Sequence, residues 1–178
     1  SVISHKSLID FSTRLEIIMM IVKISIIKIK EKGDQTSMIK KDCLFCKIGQ
    51  GDIPSSKIYE DDDVLAFLDI SQTTVGHALV IPKQHYDNFL CIDHETMHKV
   101  MDVAQRIGQA EMEMLGAKGV NILTNVKEAA GQSVMHFHVH VIPRYVSSDG
   151  FQISMKENEN LKDLNLPTIA ENISKSLK

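Results

Sequence analysis

Two periodicities divide the chain. Residues 134–142 alternate with a period of two. Val134, His136, His138, His140 and Ile142 fall on one face, and Met135, Phe137, Val139 and Val141 on the other. That pattern predicts a strand, the longest of the chain. Between Asp93 and Gly116 the period is helical, with Met97, Val100, Met101, Ala104 and Ile107 on one apolar face. Asp93 reads as the helix N-cap, Glu95 complements the first turn, and Gly116 reads as the stop. Shorter apolar runs predict strands over 57–60 and 64–69, around the acidic turn Asp61-Asp62-Asp63, then over 76–82 and 120–124. Residues 42–54 read as a short apolar turn followed by loops through Gly51 and Pro54. A short helix is expected within 161–177. Strands, one main helix, then strands predict an α+β fold: an antiparallel sheet of about five strands with the helix packed on it. No repeat or second domain interrupts this. The expected division is an extension over 1–37, one domain over 38–146, and a tail over 147–178.

Composition narrows the function classes. The chain of 178 residues is 43% hydrophobic and 24% charged, as a globular domain should be. Its formal net charge of -3 offers no basic stripe for a nucleic acid. The segment IIMMIVKISIIKIK (17–30) is interrupted by Lys23, Lys28 and Lys30, short of the roughly 20 apolar residues of a membrane span. No small-residue cleavage site marks it as a signal peptide, and Asp10 and Glu16 count against a mitochondrial presequence. Met38 reads as a natural start. If ordered, the β-branched residues before it favour an extra strand or an arm that clasps a partner. Three cysteines are too few for a disulfide framework and fit a reducing compartment, the cytoplasm. Cys91 reads as a small core residue.

The three alternating histidines then need a reason. They are three ligands of one metal, a nucleophile with helpers, or packing residues. Imidazole nucleophile, proton carrier and ligand chemistry all operate near neutral pH. In an extended strand His136 and His140 lie about 13 Å apart, which is awkward for one ion. That favours a reactive middle residue, His138, with supporting neighbours. The preceding loop adds Gly131, Gln132 and Ser133, with Asn125 nearby in sequence. Glycine admits backbone N–H groups close to an anion, and the side chains donate to phosphoryl oxygens. Taken alone, the same loop is a simple turn.

At this point the sequence resembles the histidine triad (HIT) family. His136-Phe137-His138-Val139-His140-Val141-Ile142 matches its His-φ-His-φ-His-φ-φ pattern. VLAFLDI (64–70), GHALVIPKQH (76–85) and GQSVMHFHVH (131–140) follow in the family's order. The resemblance covers about residues 42–145 and is closest to the Hint branch and its bacterial-type relatives with a CxxC. It implies a HIT-like fold, a homodimer, and hydrolysis of nucleoside phosphoramidates, adenosine 5′-phosphoramidates among them. His138 would attack the α-phosphorus and form a nucleotidyl-histidine. His140 would bond around the phosphate. Ser133, Gln132 and Asn125 would hold phosphate oxygens or the leaving group, with Gly131 and Val134 beside them. Asp69 would accept the ribose hydroxyls, and Leu68, Ile70, Phe45 and Ile48 would sandwich a purine base. His77 would stand behind the catalytic strand.

Cys43 and Cys46 alone are half a tetrahedral zinc site. The resemblance implies the other half, His85 and His136, and a structural zinc. The alternative is a pair of reduced packing residues beside the base pocket. The implied chemistry itself uses no metal. Two other readings stand beside the phosphoramidase. A dinucleoside polyphosphate hydrolase of the Fhit branch would use His138 identically. A nucleotide-binding scaffold with little turnover would leave the retained histidines, Ser133, Asn125 and Asp69 without a task.

Overall fold

The computed structural model describes residues 39–146, 149–161 and 164–177. The segment 17–30 and Met38 lie outside the described residues. The elements run α1 (Leu44–Gln50), β1 (Lys57–Glu60), β2 (Val64–Leu68), β3 (Ala78–Pro82), α2 (His94–Met114), β4 (Gly119–Leu123), β5 (Val139–Arg144) and α3 (Leu166–Lys175). The five strands form one antiparallel sheet in the order β1-β2-β3-β5-β4, with β4 at an edge. The α+β expectation holds.

Strand alternation gives the sheet two covered faces. Val64 and Ala66 of β2, Ala78 and Val80 of β3, and Val139 and Val141 of β5 pack against Val100, Val103, Ala104 and Ile107 of α2. Phe137 joins this core at 1% exposure. Truncating a ring so enclosed costs about 3–5 kcal/mol. The opposite residues, Leu65, Phe67, Leu79 and Ile81, pack under Phe45 and Ile48 of α1. The Asp93 side chain accepts from Thr96 N and caps α2. Gly116, at φ +70°, follows its last turn in the left-handed conformation that glycine adopts at low cost.

Three local expectations change. Residues 44–50 form a helix, not a turn: Gly51, at φ +85°, closes it by donating to the Ile48 carbonyl. The triad strand starts later than its alternation predicts. Its ladder begins at Val139, and residues 134–138 lie outside it. The β3 partner strand ends at Pro82, which has no N–H to give. The segment instead bonds to loops: Phe137 N donates to Tyr86 O, and Thr124 Oγ1 donates to His138 O. Met135 consequently points out of the core at 39% exposure. Cys91 is exposed rather than buried, and its thiol bonds the Asn88 carbonyl. Among the described residues no helix is long and apolar enough to cross a membrane.

Candidate active site and metal centre

His136, His138 and His140 all face the α1 side of the sheet, because Phe137, Val139 and Val141 occupy the α2 side. The His138 ring meets Phe45 edge-on at 5.2 Å between centroids and His140 at 4.9 Å. Its Nδ1 lies 2.7 Å from the His136 carbonyl oxygen. A carbonyl accepts only, so Nδ1 carries the proton and Nε2 keeps its lone pair. Burial lowers the His138 pKa, which keeps the ring neutral at pH 7.

Behind it runs a second pair. His140 Nδ1 is 3.0 Å from His77 Nε2. The other His77 nitrogen, Nδ1, is 3.9 Å from Asp69 Oδ2, beyond hydrogen-bond reach, and is buried without a partner. Burial holds the His140 pKa down to about 4 and also lowers that of His77. Asp69 Oδ1 accepts from Ser71 N at 2.8 Å, which fixes the carboxylate at the end of β2.

The other expected residues divide. Phe45 and Ile48 stand with the histidines. Leu68 follows Val64 and Ala66 onto the opposite side, where it lines a cleft with Ile70, Val103 and Ile107. Leu68 and Ile70 are therefore not across from Phe45. Phe67 and Ile53, which the sequence reading passed over, pack with Phe45 and Ile48 instead. Phe67 was findable: it alternates with Leu65 toward Asp69. Gln132 is not free to hold a phosphate. Its Oε1 accepts from Lys127 N at 2.7 Å, and its Nε2 donates to Asp87 O at 2.6 Å and Val134 O at 2.9 Å. Ser133 is exposed, Val134 is half-buried, and Gly131 turns the loop at φ +85°. Asn125 Nδ2 donates to Gly131 O at 3.3 Å.

Cys43, Cys46, His85 and His136 converge at the N-terminus of α1, with one ligand atom from each lying within 4.8 Å of the others. His136 Nδ1 is 3.4 Å from Cys43 Sγ and 3.5 Å from Cys46 Sγ, and His85 Nδ1 is 3.4 Å from Cys46 Sγ. Tetrahedral zinc with ordinary bond lengths separates sulfur and nitrogen ligands by about 3.6 Å. The outer nitrogens are also held: His136 Nε2 donates to Pro82 O, and His85 Nε2 to Asp87 Oδ1, both at 2.9 Å. Such outer bonds leave each Nδ1 free to ligate. Burial pushes the Cys46 thiol up to about 11 and His136 down to about 4. The imidazole is ready for a cation, and the thiolate needs one. The donor set fits a metal ion.

Comparison with known proteins agrees with this geometry. The HIT domain family model matches residues 50–147. Protein hit of Bacillus subtilis is 46% identical over 138 residues, 77% of this chain and 95% of its own. Adenylylsulfatase HINT3 of Arabidopsis thaliana is 37% identical over 110 residues, 62% of this chain and 56% of its own. Among solved structures, SMU.412c from Streptococcus mutans matches with TM-score 0.74 at 46% identity, over 81% of this chain and 90% of that one. A Zn-bound histidine triad family protein from Mycobacterium smegmatis matches with TM-score 0.59 at 38% identity, over 75% of this chain and 97% of that one. A triad presented in this way, inside a domain that matches across most of its length, places the chain in the HIT family of nucleotide-binding hydrolases and transferases.

Proposed function

We propose that the protein hydrolyses nucleoside 5′-phosphoramidates through a nucleotidyl-histidine at His138. The observation that carries this is the His138 Nδ1 bond to the His136 carbonyl, which leaves a neutral Nε2 as nucleophile. The Nε2 lone pair attacks the α-phosphorus. The P–N bond of the substrate breaks, and the leaving nitrogen departs as the amine with a proton. Ser133 is the exposed hydroxyl assigned to donate that proton and recover one from solvent. Water then attacks phosphorus, the P–Nε2 bond breaks, and the nucleoside monophosphate leaves.

The remaining roles follow from position. His140, braced by His77, donates from Nε2 toward the phosphoryl oxygens. Asp69 accepts from the ribose hydroxyls through the oxygen that Ser71 does not hold. Phe45, Ile48, Ile53 and Phe67 give the purine base an apolar wall. Gln132 acts on the loop's shape and not on the phosphate. Cys43, Cys46, His85 and His136 would hold a structural zinc, tying α1 to the triad segment. The place of β4 at the sheet's edge among the described residues, with the α2 face, supports a homodimer. Three unpaired cysteines support a reducing, cytoplasmic setting.

The adenylylsulfatase relative supports a second reading, in which the same nucleophile releases sulfate or a nucleotide. Turnover of adenosine 5′-phosphoramidate, adenylylsulfate and a dinucleoside polyphosphate, each with wild type and His138→Ala, tests both. Fastest phosphoramidate cleavage, lost in the variant, is the expected result. Faster cleavage of either other substrate would replace the leaving group and keep the nucleophile. Binding without turnover of any would end the hydrolase reading.

A further inference from the structure

A cleft of about 810 Å³ opens on the α2 side of the sheet. Its apolar lining is bare. Ile58 of β1, Leu68 of β2, Val75 in the loop after it, and Met114 and Leu115 at the end of α2 are 37–76% exposed. A patch of this kind marks a surface that another segment covers. Within the cleft Glu111 is only 5% exposed, and neither carboxylate oxygen has a hydrogen-bond donor. Burial pushes its pKa up to about 7. Arg106, the cation among the described lining residues, does not serve it: its guanidinium lies 5.0 Å from the Tyr59 ring centre and 3.6 Å from Asp102. The cleft lacks both an apolar cover and a cation.

One segment of the chain supplies both. Residues 17–30, IIMMIVKISIIKIK, hold ten apolar residues, three lysines and no acid. They precede the described residues. A lysine lays its aliphatic stem on an apolar wall while its ammonium reaches a carboxylate. The apolar residues of α3 are exposed as well, but that helix has no such cation to give, because Lys175 is held by Glu171 at 2.8 Å.

The tether between segment and cleft is long enough. Ile39, the first described residue, lines one hollow with Asp52. Ser56, four residues past Asp52 and so within about 14 Å of it, already lines the cleft. Residues 31–38 span up to about 26–29 Å when extended. β1 is an outer strand of the sheet among the described residues, and β-branched residues suit a place beside it. We propose that residues 17–30 fold back along β1 and close this cleft on their own chain, with a lysine of the segment paired to Glu111. This does not depend on the reaction proposed above.

Photo-crosslinking tests it on the full chain. p-Benzoylphenylalanine replaces Met114, at the exposed rim of the cleft, and on irradiation links to whatever lies over it. The link should form within one chain and map by peptide mass to residues 17–30. It should vanish with Ile24→Asp and Ile26→Asp together. It should weaken severalfold with Lys23→Gln, Lys28→Gln and Lys30→Gln together. A link to α3 or to a second copy would overturn the proposal, and so would the absence of any link in well-folded protein. An undiminished link in the lysine variant would overturn the pairing with Glu111.

Discussion

His138 Nδ1 donates to the backbone carbonyl of His136, two residues before it, at 2.7 Å. The bond spans the segment that leaves the β5 ladder, so the break in the ladder and the tautomer of the proposed nucleophile are one feature. A regular ladder would direct the His136 carbonyl at a neighbouring strand. Here it is free to hold the ring. His138→Ala should therefore lower kcat on adenosine 5′-phosphoramidate by at least about 10³-fold without loss of fold. Intact-mass measurement during turnover should find a nucleotidyl adduct on wild type alone. An adduct on any other residue would move the nucleophile.

As a proposed metal site, the Cys43, Cys46, His85 and His136 cluster predicts a stability effect more than a chemical one. Its four residues join α1, the loop after β3 and the triad segment, and none of their side chains faces the substrate in the proposed mechanism. Purified without chelator, the protein should carry about one zinc per chain. Cys46→Ser should lose it, and a strong chelator should lower the wild-type melting temperature by roughly 5 °C or more. Metal-free protein with an unchanged melt would reduce the cluster to packing.

Asp69 predicts a sugar requirement. One oxygen is fixed by Ser71 N, and in the proposed role the carboxylate offers the other to ribose hydroxyls. Asp69→Asn should reduce kcat/KM for a ribonucleoside phosphoramidate by about 10–100-fold, the range for a charged hydrogen bond lost from a site. A 2′,3′-dideoxy substrate should show no such difference between wild type and variant. Equal losses on both substrates would mean that Asp69 acts on His77 and not on the sugar.

Much of this was legible in the residues, because period-two alternation is a strict rule. It placed three histidines on one face and put Phe137, Val139 and Val141 under the helix. What it could not supply was the start of the ladder, which depends on Pro82, 54 residues from His136 and joined to it through the ring. The same rule applied to β2 would have moved Leu68 to the far face and recruited Phe67. Gln132 misled for another reason. An amide donor reads identically whether it meets a phosphate or three backbone groups, and only the fold decides. α1 was missed because a CxxC between charged residues gives too few positions to reveal a helical period.

His140 predicts an acid limit to stability. Burial holds its folded pKa near 4, below the ordinary histidine value of 6.5. Between these values the unfolded chain takes up a proton that the folded chain refuses. Its contribution is full above pH 6.5 and is lost as pH falls toward 4. Allowing for its partial exposure, the loss is about 2 kcal/mol. His140→Asn retains a group to meet His77 but does not titrate. Urea midpoints measured from pH 7.5 to 4.5 should fall more steeply for wild type than for this variant. Parallel slopes would assign the acid sensitivity elsewhere.

Gln132 predicts a structural variant with a catalytic symptom. Lys127 holds φ +65°, a left-handed backbone that a residue with a Cβ adopts at a cost. The buried Gln132 side chain binds its N–H, and the Gln132 N–H binds its carbonyl at 3.1 Å. This clasp sets the loop that presents Gly131 and Ser133. Gln132→Ala should cost about 2–3 kcal/mol, since Lys127 N, Asp87 O and Val134 O all lose a partner. Gln132→Glu keeps the acceptor for Lys127 N and removes both donors. If the clasp on Lys127 matters most for catalysis, Gln132→Glu should recover kcat while remaining destabilised. If the side chain served the phosphate directly, the added negative charge would instead make Gln132→Glu the slower enzyme of the two.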